Sequence, residues 1–200
     1  MHASFSMNYP DCISVLVNKT HSLPSWYCPK DLYLPNIPFS ENHFHPKKLL
    51  RFHAAYAINQ LFTEARKHNY FFYGVSGFRS YQRQKNIYEK NLATKGKIHT
   101  ELYSAKPGHS EHQTGLAMDV SISSLQYDLL PKFGDTKEGI WLSKNCHRFG
   151  FILRYPKDKS HITGYHYEPW HIRYIGPVLA LFLFENHLTL EEYMLGLVIK

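Results

Sequence analysis

The apolar positions of this chain follow two different periods, and the period changes several times along the sequence. Steps of three and four residues predict a helix over residues 46–68, with Leu50, Ala57 and Leu61 on one face. Apolar runs and two-residue alternation predict strands over residues 71–78, 115–122, 151–155 and 168–175. Further helices are predicted over residues 80–92, 136–148, 177–187 and 190–197. This mixed order predicts an α+β fold in which helices pack against a small antiparallel sheet.

Two segments lack either period. Residues 1–45 are rich in Pro, Asn and Ser, so we predict an irregular N-terminal arm there, followed by a folded domain over residues 46–200. Residues 95–111 are polar and contain Gly96, Pro107 and Gly108, which predicts a loop. This loop leads directly to His112, and it is either a lid over a site or a passive connection.

Composition narrows the class of protein. A length of 200 residues fits one domain, and 44% hydrophobic residues can supply a core. The net charge of +7 favours an anionic partner. No helix-turn-helix, RNA-recognition or zinc-finger pattern is present, so nucleic acid is not the expected partner. We expect a monomer.

The cysteines and the apolar runs carry little further information. Cys12, Cys28 and Cys146 show no C-x-x-C spacing, which argues against a structural zinc knuckle. They are either three independent thiols or include a disulfide between Cys12 and Cys28. No run approaches the roughly 20 apolar residues of a membrane helix. The first ten residues lack the basic and then apolar pattern of a secretory leader.

Two short stretches carry the candidate chemistry. Residues 110–119 contain His112 and Asp119, and residues 168–171 contain Glu168 and His171. A catalytic zinc takes three ligands of the His or carboxylate type and leaves one position open. It also needs a base that does not bind the metal. His112, Asp119 and His171 can therefore be ligands to a single zinc ion, with Glu168 as the base.

A simpler explanation exists for the same residues. The chain has 14 His, and a hydrogen-bonded His–Asp pair without a metal would show the same spacing. The predicted strands favour the metal site, because residues 115–122 carry Asp119 and the strand after Glu168 carries His171. Ligands on neighbouring strands would be held rigidly, as a metal site requires.

Four stretches of the sequence together match the pattern of a known family: Ser76–Gln84, Pro107–Asp119, Gly150–Pro156 and Thr163–Gly176. In these stretches the sequence resembles the VanY-type zinc carboxypeptidases, and the resemblance extends from about Leu16 to Tyr193. It implies a Hedgehog/DD-peptidase-like fold and an enzyme that removes D-alanine from the stem peptides of peptidoglycan. It also implies action at the cell wall or in the periplasm, and a cytoplasmic location stays open because no leader is recognisable.

The resemblance also implies roles for individual residues. The zinc ligands would be His112, Asp119 and His171, and Glu168 would be the catalytic base. Arg79 would contact the substrate and stabilise charge in the transition state, because its planar fork donates hydrogen bonds in pairs. The remaining positions expected to face substrate are Gln84, Ser110 and Tyr155, with Trp170 a candidate for either the cleft or the core.

Several functions remain open at this stage. The bond cleaved is either D-Ala-D-Ala in a pentapeptide or the L,D bond before D-Ala in a tetrapeptide. An endopeptidase that cuts L-Ala-D-Glu would share the fold and the metal. A zinc module without catalysis, like the Hedgehog signalling domain, is the alternative outside the enzymes, and the presence of Glu168 argues against it.

Overall fold

The structure is a computed structural model that describes residues 9–196. The helices are α1 (Phe52–Lys67), α2 (Tyr81–Lys95), α3 (Lys97–Tyr103), α4 (Lys137–Asn145), α5 (Ser160–Thr163), α6 (Pro177–Glu185) and α7 (Leu190–Met194). The strands are β1 (Leu32–Tyr33), β2 (Leu50–Arg51), β3 (Tyr73–Ser76), β4 (Ala117–Ser121), β5 (Phe151–Tyr155) and β6 (Glu168–Tyr174). Among the described residues, no helix is both long enough and apolar enough to cross a membrane.

The central feature is a four-stranded antiparallel sheet in the order β3-β4-β6-β5. Strands β4 and β6 occupy the middle of the sheet. Met118 and Val120 of β4 and Ile172 of β6 are buried in the main core together with residues of α1 such as Ile58 and Leu61. The predicted α+β fold with a small antiparallel sheet is therefore confirmed.

Strand β4 is more buried than its alternating pattern predicts. All five of its residues are buried, although alternation is typical of a strand with one face in water. The face opposite the core carries Ala117, Asp119 and Ser121, and protein also covers this face. The polar residues of the pattern are thus inside the molecule, where they can form a site.

The prediction of one helix over residues 46–68 is wrong at its start. Residues Pro46–Lys48 form a short 3-10 turn, and Leu49 is extended. Leu50 and Arg51 then pair with Tyr33 and Leu32 of the arm, so the helix begins only at Phe52. The periodicity could not reveal this because the pairing partner lies about 20 residues away along the chain.

The prediction of a loop over residues 95–111 is also wrong in part, because this segment contains the helix α3. Gly96 ends α2 with a φ of 78° and directly precedes α3. The glycine therefore marks a break between two helices rather than the start of a loop. The short α3 is stabilised where Thr100 donates from Oγ1 to the carbonyl of Gly96.

The other predicted elements agree with the structure within a few residues. The strand over residues 151–155 matches β5, while the strand predicted over 71–78 is shortened to β3. The helix predicted over 136–148 ends at Asn145 and continues as a 3-10 turn. The last helix ends at Met194, and its predicted final residue lies outside the described part of the chain.

The described part of the N-terminal arm packs closely on the domain. Val15, Leu16, Val17 and Leu23 are all buried, and the arm has little regular structure besides β1. Its boundary at residue 45 stays a prediction.

All three cysteines are free thiols, with Cys146 buried in the core.

Candidate active site

The three predicted metal ligands lie together at the centre of the sheet. Asp119 of β4 is the direct partner of His171 on β6, and directly opposed residues have their side chains on the same face. His112 lies on a 3-10 turn, Glu111–Thr114, immediately before β4. Gly115 ends this turn with a φ of 67°, a conformation that favours glycine. Ligand atoms of His112, Asp119 and His171 all lie within 4.8 Å of one another, and all three residues are buried.

Each of the two imidazole rings has one nitrogen held by a neighbouring oxygen, and its other nitrogen faces Asp119. His112 Nδ1 is 2.7 Å from the carbonyl oxygen of Gly77, and His171 Nε2 is 3.2 Å from Glu111 Oε2. Both oxygens are acceptors, so these nitrogens can carry the ring hydrogen when the opposite nitrogens bind a metal. Those opposite nitrogens, His112 Nε2 and His171 Nδ1, lie 3.2 Å and 2.8 Å from the oxygens of Asp119. Such outer contacts are typical of metal-binding histidines.

The charges at the centre of the site are strongly coupled. Burial acts to raise the pKa of Asp119, but His112 and His171 outweigh it and hold this pKa well below its usual range. Burial lowers the pKa of His112. Burial acts in the same direction on His171, but its hydrogen bonds with Asp119 and Glu111 outweigh it and raise the pKa to about 9. Asp119 is therefore ionised at neutral pH, as a metal ligand must be.

Glu168 lies at the beginning of β6 and borders the same cavity as the three ligands. Residues three apart on a regular strand point to opposite faces, so the Glu-x-x-His spacing alone does not bring Glu168 to His171. The pairing of β5 with β6 is irregular between Leu153 and Tyr155, where Tyr155 pairs with Glu168. Burial raises the pKa of Glu168 to about 7. A carboxylate in this range can accept and return a proton near neutral pH.

Arg79 follows β3 and also borders the cavity. Its guanidinium donates from Nη1 to Gln84 Oε1 at 2.9 Å and from Nη2 to Ser76 Oγ at 3.1 Å. Gln84 in turn donates to the carbonyl of Ala105 at 2.6 Å and is only 1% exposed. Gln84 thus lies behind Arg79 and orients it, and it does not line the cavity.

These residues surround a cavity of about 230 Å³. The predicted positions Ser110, Tyr155 and Trp170 line it. The whole lining consists of Arg79, Ala105, Ser110, Glu111, His112, Asp119, Leu129, Tyr155, Tyr165, Glu168, Trp170 and His171. The ring of Tyr155 lies between Tyr165 and His171, with centroid distances of 4.7 Å and 5.0 Å. The cavity lining therefore combines aromatic rings with charged side chains.

Comparison with known proteins agrees with this geometry. The family model described as "VanY: D-alanyl-D-alanine carboxypeptidase" matches residues 47–177. The chain belongs to the VanY family. Among relatives, YodJ of Bacillus subtilis is 46% identical over 184 residues, which are 92% of this chain and 67% of YodJ. The fold and the enzyme class that the sequence predicts are confirmed by this membership.

Solved structures give the same result for the fold. The LdcB LD-carboxypeptidase superposes on this VanY-family chain with a TM-score of 0.89 at 46% identity, covering 92% of this chain and 86% of LdcB. The vancomycin-resistance D,D-pentapeptidase VanY, solved in complex with Zn(II), superposes with a TM-score of 0.73 at 31% identity. That alignment covers 90% of this chain and 98% of VanY.

The sequence did not lead us to a group of charged residues that lies behind the predicted metal ligands of this VanY-family protein. Glu111 forms buried ion pairs with Arg154 and Arg173, both at 2.7 Å. Burial acts to raise the pKa of Glu111, but the two arginines outweigh it and hold this pKa well below its usual range. A signal was available, since Arg154 is the one charged residue of β5 and Arg173 lies between the apolar Ile172 and Tyr174 of β6.

Proposed function

We propose that this protein is a zinc carboxypeptidase that holds one zinc ion per chain and removes the C-terminal D-alanine from peptidoglycan stem peptides. The observation that carries the proposal is the pairing of Asp119 with His171 in the sheet, with His112 beside them and Glu168 in the same cavity. One carboxylate and two imidazoles are a donor set that catalytic zinc takes. Zinc held by these residues would supply a Lewis acid and would make water nucleophilic at neutral pH.

Glu168 would move the proton in this reaction. Its raised pKa of about 7 allows the carboxylate to accept a proton from water and then to donate it to the departing amine of D-alanine. Glu168→Gln removes this function while keeping the shape of the side chain. We expect the variant to retain zinc and to lose turnover by roughly 10²–10⁴, the usual contribution of general acid–base catalysis.

Arg79 would recognise the substrate. Its guanidinium borders the cavity and is oriented by Gln84 and Ser76, so it can bind either the terminal carboxylate or the oxyanion that develops on the attacked carbonyl.

For the bond that is cleaved, we propose the L,D bond that precedes D-Ala in a tetrapeptide stem. The support is the similarity to LdcB, an LD-carboxypeptidase, which exceeds the similarity to the D,D-pentapeptidase VanY in both identity and TM-score. Cleavage of D-Ala-D-Ala in a pentapeptide is the second candidate. We also infer action at the bacterial cell wall, where the net charge of +7 would favour anionic polymers.

Mass spectrometry of the products can test the proposal. Wild-type protein loaded with zinc is incubated with tetrapeptide and pentapeptide stems, and Glu168→Gln serves as the inactive control. We expect the tetrapeptide to lose one D-alanine. A loss from the pentapeptide alone would assign the D,D bond instead.

A stem peptide with an amidated C-terminus separates a carboxypeptidase from an endopeptidase. A carboxypeptidase needs the free carboxylate, so we expect no cleavage of the amide. Release of any fragment larger than one D-alanine would refute the proposal and favour the endopeptidase.

A further inference from the structure

A single buried carboxylate connects the metal ligands to the rest of the core. Glu111 is 2% exposed and uses both oxygens. Its Oε1 accepts from Arg154 Nε and Arg173 Nη1, each at 2.7 Å, and its Oε2 lies 3.2 Å from His171 Nε2. The imidazole of His171 is thereby fixed at one nitrogen by Glu111 and faces Asp119 with the other, at 2.8 Å.

The two arginines that hold Glu111 are themselves fixed by other parts of the chain. Arg154 forms a two-point contact with Glu191 of α7, at 2.8 Å and 2.6 Å. Arg173 donates from Nη2 to the backbone carbonyls of Ile13 and Val15 in the N-terminal arm, at 3.0 Å and 2.9 Å. Glu111 therefore cannot move without disturbing groups from the arm, from β5 and β6, and from α7.

An ion cluster of this kind is not explained by stability alone. Burying charges has a large desolvation cost, and well-packed apolar residues in the same place are often as stabilising or more so. Among the described residues, the cluster contacts His171 but not His112, whose Nδ1 lies instead 2.7 Å from the backbone carbonyl of Gly77. This difference between the two histidines suggests that the cluster acts on His171 specifically.

We propose that Glu111, held by Arg154 and Arg173, is a positioning residue that presents Nδ1 of His171 to the metal. This inference rests on the proposed zinc function. Glu111 does not touch the substrate; it accepts the hydrogen of His171 Nε2, which fixes both the tautomer and the ring orientation. A glutamine at this position has one oxygen and one NH₂ group. It must turn its NH₂ group toward either the arginines or the Nε2 hydrogen of His171, so one contact is lost.

The test compares two variants of the same cluster. Glu111→Gln removes the charge beside His171, whereas Glu191→Gln removes a charge that contacts Arg154 and Asn18 but not His171. The zinc dissociation constant of each protein is measured by competition with a chromophoric chelator. We expect Glu111→Gln to weaken zinc binding by roughly 10- to 100-fold, the usual effect of losing such an outer contact. We expect Glu191→Gln to weaken zinc binding much less than Glu111→Gln does, because Glu191 contacts Arg154 and Asn18 rather than His171.

A measurement on the wild-type protein covers the case in which Glu111→Gln does not fold. The ¹⁵N shifts of the histidines in the zinc-loaded protein identify which nitrogen of His171 binds the metal. We expect zinc at Nδ1 and a hydrogen on Nε2. Zinc at Nε2, or a folded Glu111→Gln variant with unchanged zinc affinity, or an equal loss in both variants, would overturn the inference.

These outcomes are distinguishable from a failure of the proposed function. Zinc affinity is measured without any peptide, so zinc-loaded protein that is inactive on stem peptides would refute the function and leave the role of Glu111 intact. Wild-type protein that binds no zinc would refute both.

Discussion

Replacing Glu168 by glutamine is expected to stabilise the metal-free protein at alkaline pH. Burial of Glu168 raises its pKa from 4.5 to about 7, so the folded protein holds this proton more tightly than the unfolded chain does. As pH rises from 4.5 to 7, the carboxyl group of Glu168 ionises in the unfolded chain before it ionises in the folded protein. This ionisation lowers the free energy of the unfolded chain relative to the folded protein. The free energy of unfolding falls over that range and then stays constant. Glutamine does not titrate, and it avoids this loss.

The magnitude follows from the two pKa values of Glu168. Their difference is about 2.5, and each pKa unit corresponds to 1.36 kcal/mol, which gives about 3 kcal/mol above pH 7. At pH 5 the carboxyl group of Glu168 is mostly ionised in the unfolded chain and still protonated in the folded protein. The same linkage then gives a loss of stability of about 1 kcal/mol. The stability gained by Glu168→Gln should therefore increase by about 2 kcal/mol between pH 5 and pH 8.

Urea unfolding of chelator-treated protein at the two pH values measures this difference by linear extrapolation. Glu89→Gln is a suitable control, because Glu89 is exposed on α2 and pairs only loosely with Lys85 at 3.8 Å. Its effect should stay within about 0.5 kcal/mol at both pH values. An equal effect of Glu168→Gln at pH 5 and pH 8, or a variant that loses stability as pH rises, would refute the reasoning. Confirmation would mean that the proposed base is kept at a cost in stability.

Three further predictions concern the site. His171→Ala should lose the zinc that elemental analysis detects in the wild-type protein. His53→Ala, a control at an exposed position of α1, should keep it. Unchanged zinc content in His171→Ala would refute the ligand assignment. Arg79→Lys should lower kcat/KM on stem peptides by roughly 10- to 100-fold, because a charged hydrogen bond contributes about 1.5–3 kcal/mol and lysine lacks the planar fork; a wild-type rate would place substrate recognition elsewhere. Gly77→Ala should lower the free energy of unfolding by about 1–3 kcal/mol and weaken zinc binding, because an added Cβ would lie 2.6 Å from the carbonyl oxygen of Leu49 and displace the carbonyl that holds His112. Denaturation and chelator competition would check it, and unchanged values in both would refute it.

Local pattern was enough to predict most helices and strands and the candidate chemistry. The period of the apolar residues predicted both ends of β5 and the main part of α1. It could do so because an element that buries one face has apolar residues at the spacing of that face. Residue types and spacing singled out His112, Asp119, His171 and Glu168, since few side chains can bind zinc or transfer a proton near neutral pH. These inferences need only neighbours within a few positions along the chain.

Long-range pairing decided the rest. The register of β4 with β6 puts Asp119 opposite His171, and the irregular pairing of β5 with β6 coincides with Glu168 reaching the same cavity. The late start of α1 depends on a strand pair with the arm.

The buried cluster around Glu111 depends on residues 43 and 62 positions away. No local period records such contacts, because their partners meet only when the sheet, the arm and the last helix have packed together. The sequence therefore supplied the chemical groups, and tertiary packing determined which of them face one another.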